Sequence, residues 1–173
     1  MSGRPPELTG LVGVPTYRGA PGTPVTDLVG TTPEGRPWSI AVAGRPGITL
    51  LVFLTTTCQG CATFWRAAVD PVGAGLVADE RLVVVARDPD VEDPSAVRRL
   101  APAPAPVLMA GAAWAAYGVL GPPFFVLVDG PGRRVLTEGV AWSVEQVAGH
   151  LADARSGTAA PEVPRLAPRG EGG

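Results

Sequence analysis

At 173 residues, 46% of them apolar, the chain is long enough to bury one core and short for two ordinary domains. A formal charge of −2 leaves no basic footprint, which argues against nucleic acid as the main partner. No stretch reaches the roughly eighteen uninterrupted apolar residues of a membrane span, which argues against a membrane segment.

Residues 1–21 carry Gly, Pro and Arg without periodicity and read as a flexible leader. They lack the continuous apolar core of a signal peptide. As the chain stands, the expectation is a cytoplasmic protein, or an extracytoplasmic or membrane-tethered one if an N-terminal anchor is missing. A reducing compartment disfavours a permanent disulfide and favours a catalytic or metal-binding role for a close cysteine pair.

Val25–Val29 and Trp38–Val42 read as short strands, with the turn-rich TTPEGRP between them making a hairpin. Ile48–Leu54 is a solid apolar run without alternation, the pattern of a strand covered on both faces. From Cys58 or Gln59 onward a helix is expected, because Ala62, Trp65 and Val69 recur at helical spacing and Pro71 closes the run. Arg81–Ala86 reads as a second buried strand. An acidic, solvated loop follows, holding Asp88, Asp90, Glu92 and Asp93, and then a short helix from Pro94.

The APAPAP repeat at 101–106 reads as a stiff extended connector. Ala112–Tyr117 suits a short helix. Phe124–Asp129 and Arg133–Glu138 are strands joined by DGPG, a strong turn signal. Ser143–Ala154 makes an amphipathic helix with Val144, Val147, Ala148 and Leu151 on one side, and residues 155–173 read as a disordered tail. One folded domain over 22–154 results: an α/β protein whose central mixed sheet carries helices on its faces, with a β-hairpin at its N-terminus.

The chain has two cysteines, Cys58 and Cys61, in a C-x-x-C between a strand and a helix start. Unpaired N–H groups and partial positive charge at a helix N-terminus stabilise an anion. A thiol there ionises more readily, and the thiolate is the nucleophile of disulfide exchange. Cys58 is then the attacking sulfur, and Cys61, one turn deeper, the resolving one. Other uses of the pair stay open. Tetrahedral zinc needs about four ligands, whereas the chain adds to its two thiols a lone histidine, His150, which reads as a surface residue. A two-thiolate Cu(I) site suits soft ligands, and an inert pair is the plainest option.

TLLVFLTTTCQGC, followed far downstream by YGVLGPPFFVLVDGPGRRVLTEG, resembles the thioredoxin fold, in particular the TlpA-like disulfide oxidoreductases and the methylamine-utilisation accessory protein. GTPVTDLVGTTPEGRPWSI resembles the N-terminal hairpin of that branch. The likeness covers roughly residues 22–152. It implies a thiol–disulfide oxidoreductase with no cofactor beyond its Cys58–Cys61 pair. Such a protein acts on a cysteine-containing partner protein, is recharged by an upstream reductant or oxidant, and is expected to be a monomer.

The same resemblance makes Pro123, after Gly121 and Pro122, a cis proline facing the cysteines. It puts Thr57, Gln59, Gly60, Pro122 and Pro123 at the substrate-binding surface. Several positions depart from the family pattern. Thr57 replaces its Trp, and Gln59–Gly60 replaces its Gly-Pro. Val52 stands where the family keeps a buried acid. Pro122 has no N–H to offer an extended substrate. A peroxiredoxin-like peroxidase is an alternative, carried by Thr55 but lacking the accompanying proline and arginine, and a Cu(I)-binding or partner-binding module is another.

Phe64 and Trp65 are expected to pack in the core or at its rim. Trp114 and Tyr117 are expected near the active face.

Overall fold

A computed structural model describes residues 24–101 and 105–157. The expected leader, the tail beyond residue 157 and the middle of the APAPAP connector lie outside the described residues. In chain order the elements are β1 (Leu28–Thr31), β2 (Pro37–Ile40), β3 (Ile48–Phe53), α1 (Cys61–Val69), β4 (Arg81–Ala86), α2 (Pro94–Leu100), β5 (Val107–Met109), α3 (Gly111–Ala116), β6 (Phe124–Asp129), β7 (Arg134–Val140) and α4 (Val144–Arg155). No helix among them is long and apolar enough to cross a membrane.

The strands form one mixed sheet in the order β2-β1-β5-β4-β3-β6-β7. β3 runs parallel to β4 and antiparallel to β6, which places it at the sheet's centre. Its unbroken apolar run follows from that position. Leu50, Val52 and the following Leu54 point into one core layer with Phe64 and Trp65 of α1, Val97 of α2, and Val147 and Leu151 of α4. Leu51 and Phe53 point into the other layer, against Trp114 of α3 and Tyr117 at its end. With no face toward water, β3 needs no polar alternation.

Local chemistry fixes the helix ends. Asp93 accepts the N–H of Ser95 ahead of Pro94, and Ser143 accepts the N–H of Gln146 at the start of α4. α4 continues through Arg155, which the sequence assigned to the tail. Arg155 forms a two-pronged ion pair with Glu80 that holds this last turn.

Two sequence expectations shift. β5 lies just after the 101–106 connector, where no element was expected, because three residues are too few to show a period. Its register beside β4, from Val84↔Val107 to Ala86↔Met109, supplies what local pattern could not. The hairpin strands sit a few residues from where the apolar runs suggested. Asp27 takes the N–H groups of Val42 and Ala43, so a side chain closes the hairpin's open end. Gly30 then lets β1 approach β5, since a Cβ there would stand 2.2 Å from the Met109 carbonyl oxygen.

Candidate active site

β3 ends at Phe53, and the chain must turn from the sheet's centre into α1. Two buried groups hold that turn. The indole Nε1–H of Trp65 donates to the Thr55 carbonyl at 3.0 Å. Glu92 accepts the Thr56 backbone N–H at 2.8 Å, and the Thr56 hydroxyl donates to the same carboxylate oxygen. Cys58 follows two residues later.

The helix begins at Cys61, with Gly60 as its cap, and not at Cys58 or Gln59 as the sequence suggested. The intervening residues form a tight turn in which the Cys61 N–H lies 3.2 Å from both the Cys58 carbonyl and the Cys58 sulfur. The Cys58 Sγ thus accepts an N–H from the first helical residue. With the boundary shifted to Cys61, a helix-start amide donor still meets the sulfur.

The two thiols are free and differ in setting: Cys58 is half-buried and Cys61 fully buried. Burial is the first cause that pushes the Cys61 thiol up, to about 12. The hydrogen bond and charge of Cys58 add to it, while backbone and hydroxyl contacts with Thr55 pull the other way. Cys61 therefore stays protonated at neutral pH.

A second loop walls the site. The Pro122–Pro123 peptide bond is cis. A Cβ built on Gly60 would meet Pro123 Cδ at 3.5 Å and Cys58 Sγ at 4.0 Å, so the proline ring and the sulfur border one point. The Ala141 N–H donates to the Pro123 carbonyl at 2.9 Å, continuing the Phe124↔Val140 register. Trp142 follows Ala141 in the chain, its backbone N–H donating to Gln146 Oε1 at 2.6 Å. Trp142 is 62% exposed and Leu120 83% exposed, both unusual for large apolar side chains.

The structure therefore gathers Cys58, Cys61, Gly60 and Pro123 at one place. Thr57 and Gln59 flank Cys58 in the exposed turn, and Pro122 is partly covered beside Pro123. Val52, where the resemblance led one to look for a buried acid, is buried between Val84 and Phe125 on its neighbouring strands. Glu138 is the other buried carboxylate among the described residues, yet it pairs with Val126, whose layer is the one opposite Cys61.

Several expectations are corrected. Glu92 is not part of a solvated loop: it is 6% exposed and bound to Thr56. Its neighbours serve backbone groups, Asp88 accepting the Gly111 N–H at 2.7 Å and Asp93 capping α2. His150 is half-buried with its ring stacked on Phe125 at 5.2 Å, and not a plain surface residue. Phe64 and Trp65 are core residues, as expected. Trp114 and Tyr117 pack beneath Phe53 on the sheet face away from Cys61, and the Arg87 guanidinium lies 4.1 Å over the Trp114 ring. Among the described residues, no three His, Cys, Asp or Glu side chains gather closely enough to hold a metal ion.

Sequence reasoning passed over Glu92, and read Thr55 and Trp65 without their contacts to the turn and to Cys61. The signal for Glu92 was its place just after a central buried strand, where a loop runs beside the end of β3.

No protein-family model and no curated protein matches the sequence. Solved structures do match. A thioredoxin-like protein from Aeropyrum pernix superimposes with a TM-score of 0.57 at 15% identity, covering 75% of this chain and 89% of that one. A secreted Mycobacterium tuberculosis disulfide oxidoreductase, described as homologous to Escherichia coli DsbE, gives 0.56 at 22% identity, over 72% of this chain and 93% of the other. An uncharacterized conserved protein from Geobacillus kaustophilus reaches 0.64 at 16% identity, with 87% and 92% covered. The chain has the thioredoxin-like fold. At these identities the likeness defines architecture, and chemistry has to be argued from the site.

Proposed function

We propose that the protein is a thiol–disulfide oxidoreductase of the TlpA-like type, exchanging a Cys58–Cys61 disulfide with cysteines of a partner protein. The observation that carries this reading is the half-buried Cys58 sulfur, which accepts the Cys61 N–H and borders Pro123 while its partner thiol lies buried beneath it.

In the reducing direction, the Cys58 thiolate attacks one sulfur of the partner's disulfide. A Cys58–partner bond forms as the partner's S–S bond breaks, and the first partner sulfur leaves as a thiolate. Cys58 has then lost its charge, and two of the causes that hold the Cys61 thiol high are relieved. Cys61 gives up its proton, with Thr55 favouring the anion, and attacks the Cys58 sulfur. The intramolecular disulfide forms and the second partner thiolate departs, so two electrons have moved from the pair to the partner. With Val52 at the inner position, that proton leaves to water or to the partner. The oxidising direction is the reverse.

The partner's cysteine would arrive among residues 57–60, 120–123 and 141–143, none of which is charged. Pro122 cannot donate to an extended substrate, so apolar contact with Leu120 and Trp142 takes a larger share of docking. The peroxidase alternative draws less support, since the contacts of Thr55 run to the buried Cys61.

Insulin reduction by dithiothreitol, catalysed by the wild type and lost in Cys58→Ser, is the expected result. Undiminished turnover in that variant contradicts the reading. Equilibration with glutathione gives the direction: a potential near about −270 mV marks a reductant, and one near about −120 mV an oxidant.

A further inference from the structure

We propose that Glu92 is the positioning residue for Cys58, acting through Thr56; the inference rests on Cys58 being the attacking thiol. A carboxylate that is 6% exposed is costly to bury and persists where charged hydrogen bonds satisfy it. Here one oxygen, Oε1, takes both donors of Thr56, the backbone N–H at 2.8 Å and the hydroxyl. The neighbouring Thr55 carbonyl is taken by Trp65 of α1. Successive residues of the turn are therefore fastened to two different elements, which fixes the approach of the chain to Cys58.

The loop bearing Glu92 is itself anchored. Its backbone N–H donates to the Asp88 carbonyl at 2.9 Å, and the Asp88 side chain accepts the first N–H of α3. Asp93, next in sequence, caps α2. Glu92 thus links the β4–α2 loop, through its ties to two helices, to the turn that sets the sulfur over the Cys61 N–H. Without it the turn loosens, the sulfur loses its amide donor for part of the time, and its thiolate is less favoured. The contact needs an acceptor for both Thr56 donors. An amide oxygen at the same place serves as well as a carboxylate, and a methyl group does not.

The test is the pH profile of alkylation of reduced protein by iodoacetamide, with the modified cysteine mapped by mass spectrometry. Buried Cys61 stays protonated in this range, so Cys58 is the thiol read out. Glu92→Ala is expected to slow Cys58 alkylation at pH 7 roughly ten-fold and to move its midpoint upward, the scale set by losing a charged hydrogen bond. Glu92→Gln is expected to restore the rate to within about three-fold, because its side-chain oxygen can still accept both donors. Thr56→Val removes the hydroxyl bond alone and keeps the site tested should the alanine variant fail to fold; about three-fold slowing is expected, for one weaker bond.

Wild-type rate and midpoint in the folded Glu92→Ala or Thr56→Val protein would overturn the proposal, as would a glutamine variant no faster than the alanine one. Alkylation needs no disulfide turnover. A wild type that alkylates normally but reduces no disulfide would sink the proposed activity and leave this assignment standing.

Discussion

The two loops that meet at Cys58 are held in opposite ways. The turn over 54–60 is polar and fastened: Trp65 and Glu92, both buried, bind its backbone, and the Cys61 amide meets its sulfur. The loop over 120–123 has two consecutive proline rings, one backbone bond to Ala141, and a large exposed apolar side chain at Leu120. The first loop spends its hydrogen bonds on placing one atom. The second is stiff by covalent geometry and keeps apolar surface outward, suited to meeting a partner. In the proposed function, delivery of sulfur and reception of substrate fall to segments far apart in sequence.

That contrast breaks first if the fastened turn proves loose. Trp65→Phe removes the indole donor and part of a core side chain, and is expected to cost about 2 kcal/mol of stability. It should also slow Cys58 alkylation; denaturant unfolding and alkylation rates check both, and a stable variant with unchanged thiol reactivity would mean the bond to Thr55 does not hold the turn. The receiving loop should behave in the reverse manner. Leu120→Ala with Trp142→Ala is expected to leave stability within about 0.5 kcal/mol, since both side chains are exposed. The same pair should lower the rate with a protein disulfide about ten-fold while sparing a small disulfide such as hydroxyethyl disulfide, on the scale of two lost apolar contacts. Stopped-flow rates on the two substrates sharpen the comparison.

A region remote from both loops supplies the smallest effect. The Arg155 hydrogen bond lowers the Glu80 carboxyl from 4.5 to about 2. A carboxyl depressed in the folded state contributes stability that is present above pH 4.5 and lost as pH falls from there toward 2. Arg155 is 39% exposed and solvent screens the pair, so Glu80→Gln should cost about 1 kcal/mol at pH 7. The difference from wild type should vanish near pH 2, as unfolding curves at both pH values show, with Cys58 reactivity unchanged throughout.

Much of this was legible in the sequence because the information was local. β3, β4 and β6 are apolar runs bounded by turn residues, and their limits fall within a residue of those expected. α2 and α4 carry their own caps. The C-x-x-C and the Gly-Pro-Pro are short motifs whose meeting follows once the strand order is known. What escaped depends on distance in sequence. β5 exists because β4 is beside it. Glu92 lies among exposed acids and differs from them by packing against a turn 36 residues earlier. The helix starts at Cys61 because the Cys58–Gly60 turn offers its Cys58 and Gln59 carbonyls to the Cys61 and Ala62 N–H groups, a closure that periodicity does not register.

The most direct test of the whole account is the trapping of a mixed disulfide with glutathione disulfide in Cys61→Ser, mapped by peptide mass spectrometry. The account predicts one glutathione per chain, attached to Cys58, and almost none in Cys58→Ser, where the remaining thiol is buried and protonated. Equal labelling of the two single-cysteine proteins, or attachment through Cys61 alone, would contradict it.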